Sequence, residues 1–473
     1  MRTDVSVSKG DRLLKLGLFV AALLLIVSAL AAPAGAETRV ITKKVGPITV
    51  APYQVALGGP QFPDGPLPVA PNIEGFITKM SVDVVDVKTG KPVPIRRIML
   101  HHIVFMNFGT PEARRYDPFY GDGEERAKME LPKGYGYPIH PGEQWYWVWM
   151  LMNHQSVTDQ VKIRYTMTVV TDKTLKPVIP FNFDTSNRRA GLVFDVPGGG
   201  KPGSVDVRKM SRPAPVAGRL VAGLGHVHGG AKSLALTQPS CGNRTLYRSS
   251  PTWGLKKHPF YQVRPVLHEP GPINMSQFTS ARGIPVAAGE TLTLTSRYDN
   301  QYPHTRAMGL MVAYLAPDPK VTATNCAPLP RDYKVLKTKQ KGRKKVPPRQ
   351  IHIYDWSKKG KAIEVPGPRG AMQVATGDTT VVADDFQFKA GNVSLPRGGT
   401  ITWSFPGDVL HNVTLANGPE GFSSDRLLNG GTFSKTFTKP GTYTFFCELH
   451  PVGMIERVVV RPGIPAGLGL APY

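Results

Sequence analysis

Thr442-Tyr443-Thr444-Phe445-Phe446-Cys447-Glu448-Leu449-His450-Pro451-Val452-Gly453-Met454 is the stretch on which the reading of this chain turns. Its first residues alternate with the period of two that marks a strand, β-branched or aromatic at nearly every place. Lys439-Pro440-Gly441 before it supplies a turn, and Ile455 to Arg461 leaves it as another strand. One tight loop between two strands therefore presents a thiol, an imidazole and a thioether. Farther back, His411 opens the run His411-Asn412-Val413-Thr414-Leu415 and brings a second imidazole.

Thiolate and thioether are soft donors that favour Cu(I), while imidazole also serves Cu(II). A trigonal His/His/Cys set with a weak axial Met is the electron-transfer arrangement. His411, Cys447, His450 and Met454 are thus the expected ligands of one type 1 copper. The bland alternative is a buried Cys, a capping His and Met454 as core filler. Residues 372–462 resemble the cupredoxins, the plastocyanin-like proteins, and these four residues fall on the family's copper positions. The resemblance implies a Greek-key β-sandwich and one-electron transfer. The spacing Cys-x2-His-x3-Met differs by one residue from the family's commoner form.

A second group of histidines lies upstream. His101-His102 sits inside the apolar run Ile98-Met99-Leu100-His101-His102-Ile103-Val104-Phe105. Adjacent strand residues point to opposite faces, so both rings reach one metal only across a bulge or a sharp twist. His226-Val227-His228 places two rings on one strand face, and Met308 in another apolar strand would complete a set suited to Cu(I). A solvated strand edge is the alternative for any His-x-His. His154 ends the run Trp149-Met150-Leu151-Met152-Asn153 and by itself reads as a core residue.

Residues from about 70 to 318 resemble the ascorbate-dependent copper type II monooxygenases, which include the peptidylglycine and dopamine hydroxylating enzymes. His101-His102 matches the family's adjacent pair and His154 its third histidine on the same copper, with Leu131-Pro132-Lys133-Gly134 upstream also similar. His226 and His228 match the His-x-His of the second copper, and Met308 its sulfur ligand. The resemblance implies two packed jelly-roll sandwiches with one type II copper on each, facing across a solvent-filled cleft. The His226/His228/Met308 copper would be the catalytic one, binding O2 and hydroxylating a C–H bond. The His101/His102/His154 copper would supply the second electron. Leu224 and Val312 stand where the amidating member has arginine and tyrosine, which speaks against a peptide C-terminal glycine as substrate.

The rest of the chain frames these sites. At 473 residues, 41% hydrophobic and 19% charged, it is long enough for about three domains, each with its own core. Gly 49 and Pro 45, with many Val/Thr/Tyr runs, favour turn-rich β structure. The expected class is all-β: two jelly-roll sandwiches at 45–196 and 205–318, a basic Pro-containing linker at 331–371, and a Greek-key sandwich at 372–462. Residues 1–36 read as an export signal. Arg2, Lys9, Arg12 and Lys15 precede the apolar stretch Leu16 to Ala32, and Ala34-Gly35-Ala36 offers a cleavage site. An uncleaved anchor is the alternative.

The formal charge is +24. Twelve Lys or Arg against Asp332 and Asp355 place much of it between Arg331 and Lys361. Outside the cytoplasm such a segment suits an anionic surface or an acidic redox protein rather than nucleic acid, or else is a solvated linker. Of three cysteines, Cys241 and Cys326 form the plausible pair, because Cys447 has a metal-ligand setting. Gly200-Lys201 is followed by Pro202 and Gly223-Leu224-Gly225 lacks a third glycine, so neither is a nucleotide loop.

The expectation is an exported multi-copper protein, periplasmic, cell-surface or secreted. Its cupredoxin would exchange electrons with the N-terminal coppers and with a small reductant or redox protein. The alternative is a copper-holding electron carrier without oxygenase activity, and a structural surface module binding adventitious metal is a third reading. Whether the chain is an enzyme stays open at this level. His140, His258, His268, His304 and His352 have no assignment; His304, four residues before Met308, either borders the second copper or is an exposed loop residue.

Overall fold

The computed structural model describes residues 37–59, 65–111, 114–187, 192–337, 341–347 and 351–463. The export-signal reading of 1–36 lies outside them. Among the described residues the architecture is all-β: strands are joined by turns and two short 3-10 segments, with no α-helix.

Three sandwiches follow one another. In the first, a sheet ordered Thr38–Val50, Asp159–Val170, Gly75–Asp86, Tyr135–Ile139 faces a sheet ordered Val55–Gly58, Trp145–Asn153, Ile98–Gly109, Arg114–Gly123. Asp159–Val170 alternates between buried and half-buried places along its length, the pattern of an antiparallel strand with one face on a core. Phe105, Phe119, Trp147 and Tyr165 fill the space between the sheets.

In the second, Ile179–Asp184, Gly309–Pro317, Gly218–Val227 and Gln277–Val286 face Val205–Pro213, Thr291–Asp299, Ala231–Gln238 and Arg244–Ser249. The boundary comes earlier than the expected 196. Ile179–Asp184 pairs with Gly309–Pro317 and sends Phe181 and Phe183 into the second core, so the first sandwich ends near Val178. The third sandwich mixes senses, with Asn392–Pro396 parallel to Ile455–Arg461 and Gly441–Phe446 antiparallel to it. Trp403 is fully buried at its centre and donates Nε1–H to Glu456 (2.7 Å).

The basic segment differs from a solvated linker. Lys334–Leu336 adds to the edge strand Gln277–Val286, Gly342–Arg343 pairs with Pro251–Gly254, and Ile353–Trp356 makes a hairpin with Ala362–Val365. Ile351, Ile353 and Tyr354 are buried. The Tyr354 hydroxyl accepts from the Val266 N–H (3.1 Å), and Asn417 Nδ2 donates to the Ile351 carbonyl (2.9 Å). The sparse apolar residues tie the segment down, whereas Lys334, Lys337, Lys358 and Lys359 stay exposed.

Cys241 and Cys326 are joined as a disulfide across 85 residues, leaving Cys447 as a buried thiol. A loop of that length makes the bond worth about 2–4 kcal/mol. Replacing both cysteines by serine should therefore lower the unfolding transition of the second sandwich by that amount. The blue copper-thiolate absorption should be untouched, as a denaturation series followed by fluorescence and visible absorption would report.

Candidate metal centres

The third sandwich builds its site at one end. The strand Gly441–Phe446 delivers Cys447, whose N–H donates to the Met454 carbonyl (3.0 Å), and the His450 N–H donates to the Cys447 carbonyl (3.2 Å). These bonds fold the loop back on itself. His411 reaches the same point from the other loop, which is pinned where Asn412 Oδ1 accepts from the Glu448 N–H (2.8 Å).

Cys447 Sγ lies 3.7 Å from His450 Nδ1 and 3.9 Å from His411 Nδ1, and the two imidazole nitrogens are 3.1 Å apart. Cys447 and Met454 are wholly buried. The Phe386 ring, about half exposed, stands edge-on to His450 at 4.7 Å. Burial pushes the Cys447 thiol up to about 11 and the His450 imidazole down to about 3; His411 is lowered too, chiefly by burial. A thiol sulfur and two imidazole nitrogens packed this closely around one point can be held by a single cation, and the donor set fits copper.

The N-terminal histidines converge on one place. Leu100 pairs with Leu151 and His102 with Met150, so His101 is an extra residue in the strand Ile98–Gly109. That irregularity is the bulge which two adjacent histidines need to share a ligand. His101, His102 and His228 each turn a ring nitrogen to within 4.8 Å of the others. Ring centroids are 4.7 Å apart for His101 and His228 and 6.5 Å for His102 and His228.

The grouping differs from the two ligand sets implied by the monooxygenase resemblance. His228 joins the adjacent pair, while His154 stays on the far side of His268 and reaches the Pro265 carbonyl through Nδ1 (3.3 Å). His226 bonds Glu125 (2.8 Å). Met308 lines the same cavity as His101, His102 and His228, together with Met150 and Met152. That cavity, about 100 Å³ in volume, lies where the three sandwiches meet. It stands in place of the expected open cleft, because Phe446 and Glu448 of the third sandwich wall one side of it.

Carboxylates and carbonyls orient the rings. His228 Nδ1 donates to the Arg306 carbonyl (2.7 Å), and His304 Nδ1 meets Glu269 (2.8 Å). In each case the ring's ε nitrogen, like that of His226, is buried without a hydrogen-bond partner in the protein. This is the arrangement in which an outer group fixes a ring for metal binding. Burial drives His102 and His228 well below the usual imidazole range, so both are neutral and able to ligate. Burial also disfavours a charge on His226, yet Glu125, Glu124 and Asp122 together hold it above its ordinary value. His304 is buried rather than exposed in a loop. Sequence reading missed Glu124, Glu125, His268, Glu269 and Glu448. The adjacent acids Glu124-Glu125, directly after a strand that pairs with the His102 strand, were the available signal.

The two centres touch at Glu448. Its Oε1 accepts from Arg426 Nε (2.7 Å) and its Oε2 from Arg306 Nε (2.5 Å). Burial alone would raise this carboxyl, but Arg306 and Arg426 hold it below its ordinary value. Arg306 has φ +52°, a left-handed conformation unusual for arginine, and its N–H donates to Asp195 (2.9 Å). The same carboxylate accepts from the Ser423 N–H (2.9 Å) on the third sandwich. A continuous path therefore runs from Cys447 through Glu448 and Arg306 to His228.

Residues 375–461 match the family described as copper binding proteins, plastocyanin/azurin family, and residues 150–318 match the family described as Stress up-regulated Nod 19. The likeness of residues 70–318 to the copper type II monooxygenases rests on the five histidines, Met308 and Leu131-Pro132-Lys133-Gly134. Amicyanin-alpha of Methylorubrum extorquens is 34% identical over 100 residues, which span 20% of this chain and 82% of that protein. Plastocyanin of Sambucus nigra is 38% identical over 86 residues, 16% of this chain and 87% of its own length. A solved purple cupredoxin from Nitrosopumilus maritimus overlaps 18% of this chain and all of its own, at 25% identity and a TM-score of 0.16. Through its third sandwich, with His411, Cys447 and His450 gathered at one end, the chain belongs to the plastocyanin/azurin family of copper-binding proteins.

Proposed function

We propose that this is an exported copper oxidoreductase in which the type 1 copper at His411, Cys447, His450 and Met454 exchanges electrons with copper in the histidine cluster around His101, His102 and His228. The hydrogen-bonded path Cys447–Glu448–Arg306–His228 carries this reading. That route begins on the residue after a copper cysteine and ends on a candidate ligand. Electrons would enter or leave at the His450 edge, where Phe386 is exposed, from a small reductant or a redox protein. The basic segment, with its lysines outward, offers an anionic surface or acidic partner a place to rest.

The cluster would spend those electrons on O2, hydroxylating a C–H bond as the monooxygenase resemblance implies, with His228 and Met308 nearest the reacting oxygen. Each hydroxylation needs two electrons, and two centres in contact can deliver them in succession. The apolar wall of Met150 and Met308 and the small volume of the cavity would limit bulk water near the cluster. A carrier without oxygenase activity is the second reading. It is favoured by one observation, that the third sandwich covers the cavity and leaves little room for a large substrate.

Four outcomes are expected. Cys447→Ser abolishes the blue absorption and leaves copper at the histidine cluster, as visible and paramagnetic resonance spectra would record. Rapid one-electron reduction of the blue copper is followed by concentration-independent loss of a type II signal. Glu448→Gln and Arg306→Met slow that step several-fold with the blue spectrum unchanged. Reduced, copper-loaded protein consumes O2 catalytically with a continuing supply of reductant; a single oxidation without turnover would favour the carrier.

A further inference from the structure

Beside the His101/His102/His228 group lies a second set. His101 belongs to both: its ring centroid is 4.7 Å from His228 on one side and 4.7 Å from His268 on the other. Glu124 sits between His101 and His268. Its Oε1 is 3.7 Å from His101 Nδ1 and bonds His268 Nε2, while its Oε2 accepts from the Gly271 N–H (2.7 Å). Gly271 lets that carboxylate oxygen approach closely, since a Cβ there would come within 2.6 Å of it and push it aside. The ligand atoms of His101, Glu124 and His268 lie within 4.8 Å of one another.

The His101 and Glu124 side chains are only 9% and 4% exposed. His101 Nδ1 and His268 Nδ1, like His102 Nδ1 and His228 Nε2 of the first set, are buried without a hydrogen-bond partner. An orphaned buried donor or acceptor costs about 1–3 kcal/mol. His101 Nδ1, buried without a hydrogen-bond partner and facing the Glu124 carboxylate, marks a place shaped for charge that the polypeptide itself does not supply.

We propose that Glu124 and His268 hold a second metal ion, with His101 bridging it to the ion at His102 and His228, so that the cluster is a two-metal centre. The inference rests on the histidine-cluster reading above and adds a position to it. An imidazole carries a nitrogen on each edge of its ring and binds two cations once it has given up its N–H proton. That proton leaves to solvent as the second ion enters. Two imidazoles and one carboxylate suit a divalent transition ion, copper(II) or iron(II) among those with open coordination positions. Glu124 serves as a ligand here rather than only as the acceptor that orients His101.

The test is titration of metal-free full-length protein with copper(II), with metal counted by mass spectrometry after desalting and proton release followed by pH-stat. Wild-type protein should take two copper ions besides the blue one. Their paramagnetic resonance signals should be largely lost through coupling across His101. Glu124→Gln and His268→Gln should each retain one non-blue ion, show an ordinary type II signal and release fewer protons. The blue absorption confirms that each variant has folded, and either variant alone suffices. A single non-blue ion in wild-type protein, or full metal content in both variants, overturns the second position. No non-blue copper at all would instead sink the histidine-cluster reading on which it stands.

Discussion

A buried carboxylate with two guanidinium partners holds this molecule's working parts in register. Glu448 belongs to the copper loop of the third sandwich, Arg306 to the second sandwich, and Arg426 to the loop leading back from His411. Burying one charge is costly, and removing one partner from a buried pair leaves that cost uncompensated. The third sandwich therefore cannot slide on the second without exposing or orphaning a charge. Asp195 repeats the logic, accepting from Arg306 on its own sandwich and from Ser423 across the boundary. These polar contacts fix an orientation that apolar packing alone would leave loose.

That orientation is what gives the histidines their environment. Phe446 and Glu448 wall one side of a cavity whose other sides carry His101, His102, His228 and Met308. Burial at this junction keeps the imidazoles neutral and strands ring nitrogens that water would otherwise satisfy. The carbonyl of Arg306 and the carboxylates of Glu125 and Glu269 take one nitrogen of their rings and leave the other free. A site so prepared binds a cation at little cost in reorganisation, because the rings are already turned and the protons already placed.

Much of this was legible from residue patterns. The alternation of Val161-Lys162-Ile163-Arg164-Tyr165 reads directly as a half-buried strand, and the thiol, imidazole and thioether of one strand-bounded loop name copper by their softness. The adjacent His101-His102 demanded a bulge, and the strand has one at that residue. Pairing of Cys241 with Cys326 followed from the occupation of Cys447. What stayed hidden depends on contacts between distant segments. Nothing local says that His228 meets His101, or that Glu124, 144 residues before His268, bonds it. The basic segment looked solvated because its charge outweighs Ile351, Ile353 and Tyr354, three residues whose burial is decided by surfaces elsewhere in the chain.

Anomalous diffraction at the copper edge, on crystals of the copper-loaded chain, tests the central claim most directly. The account predicts one peak among His411, Cys447 and His450 and further anomalous density among His101, His102 and His228, with Glu448 and Arg306 between them. A single peak at Cys447, with the histidine rings holding no metal, would contradict it.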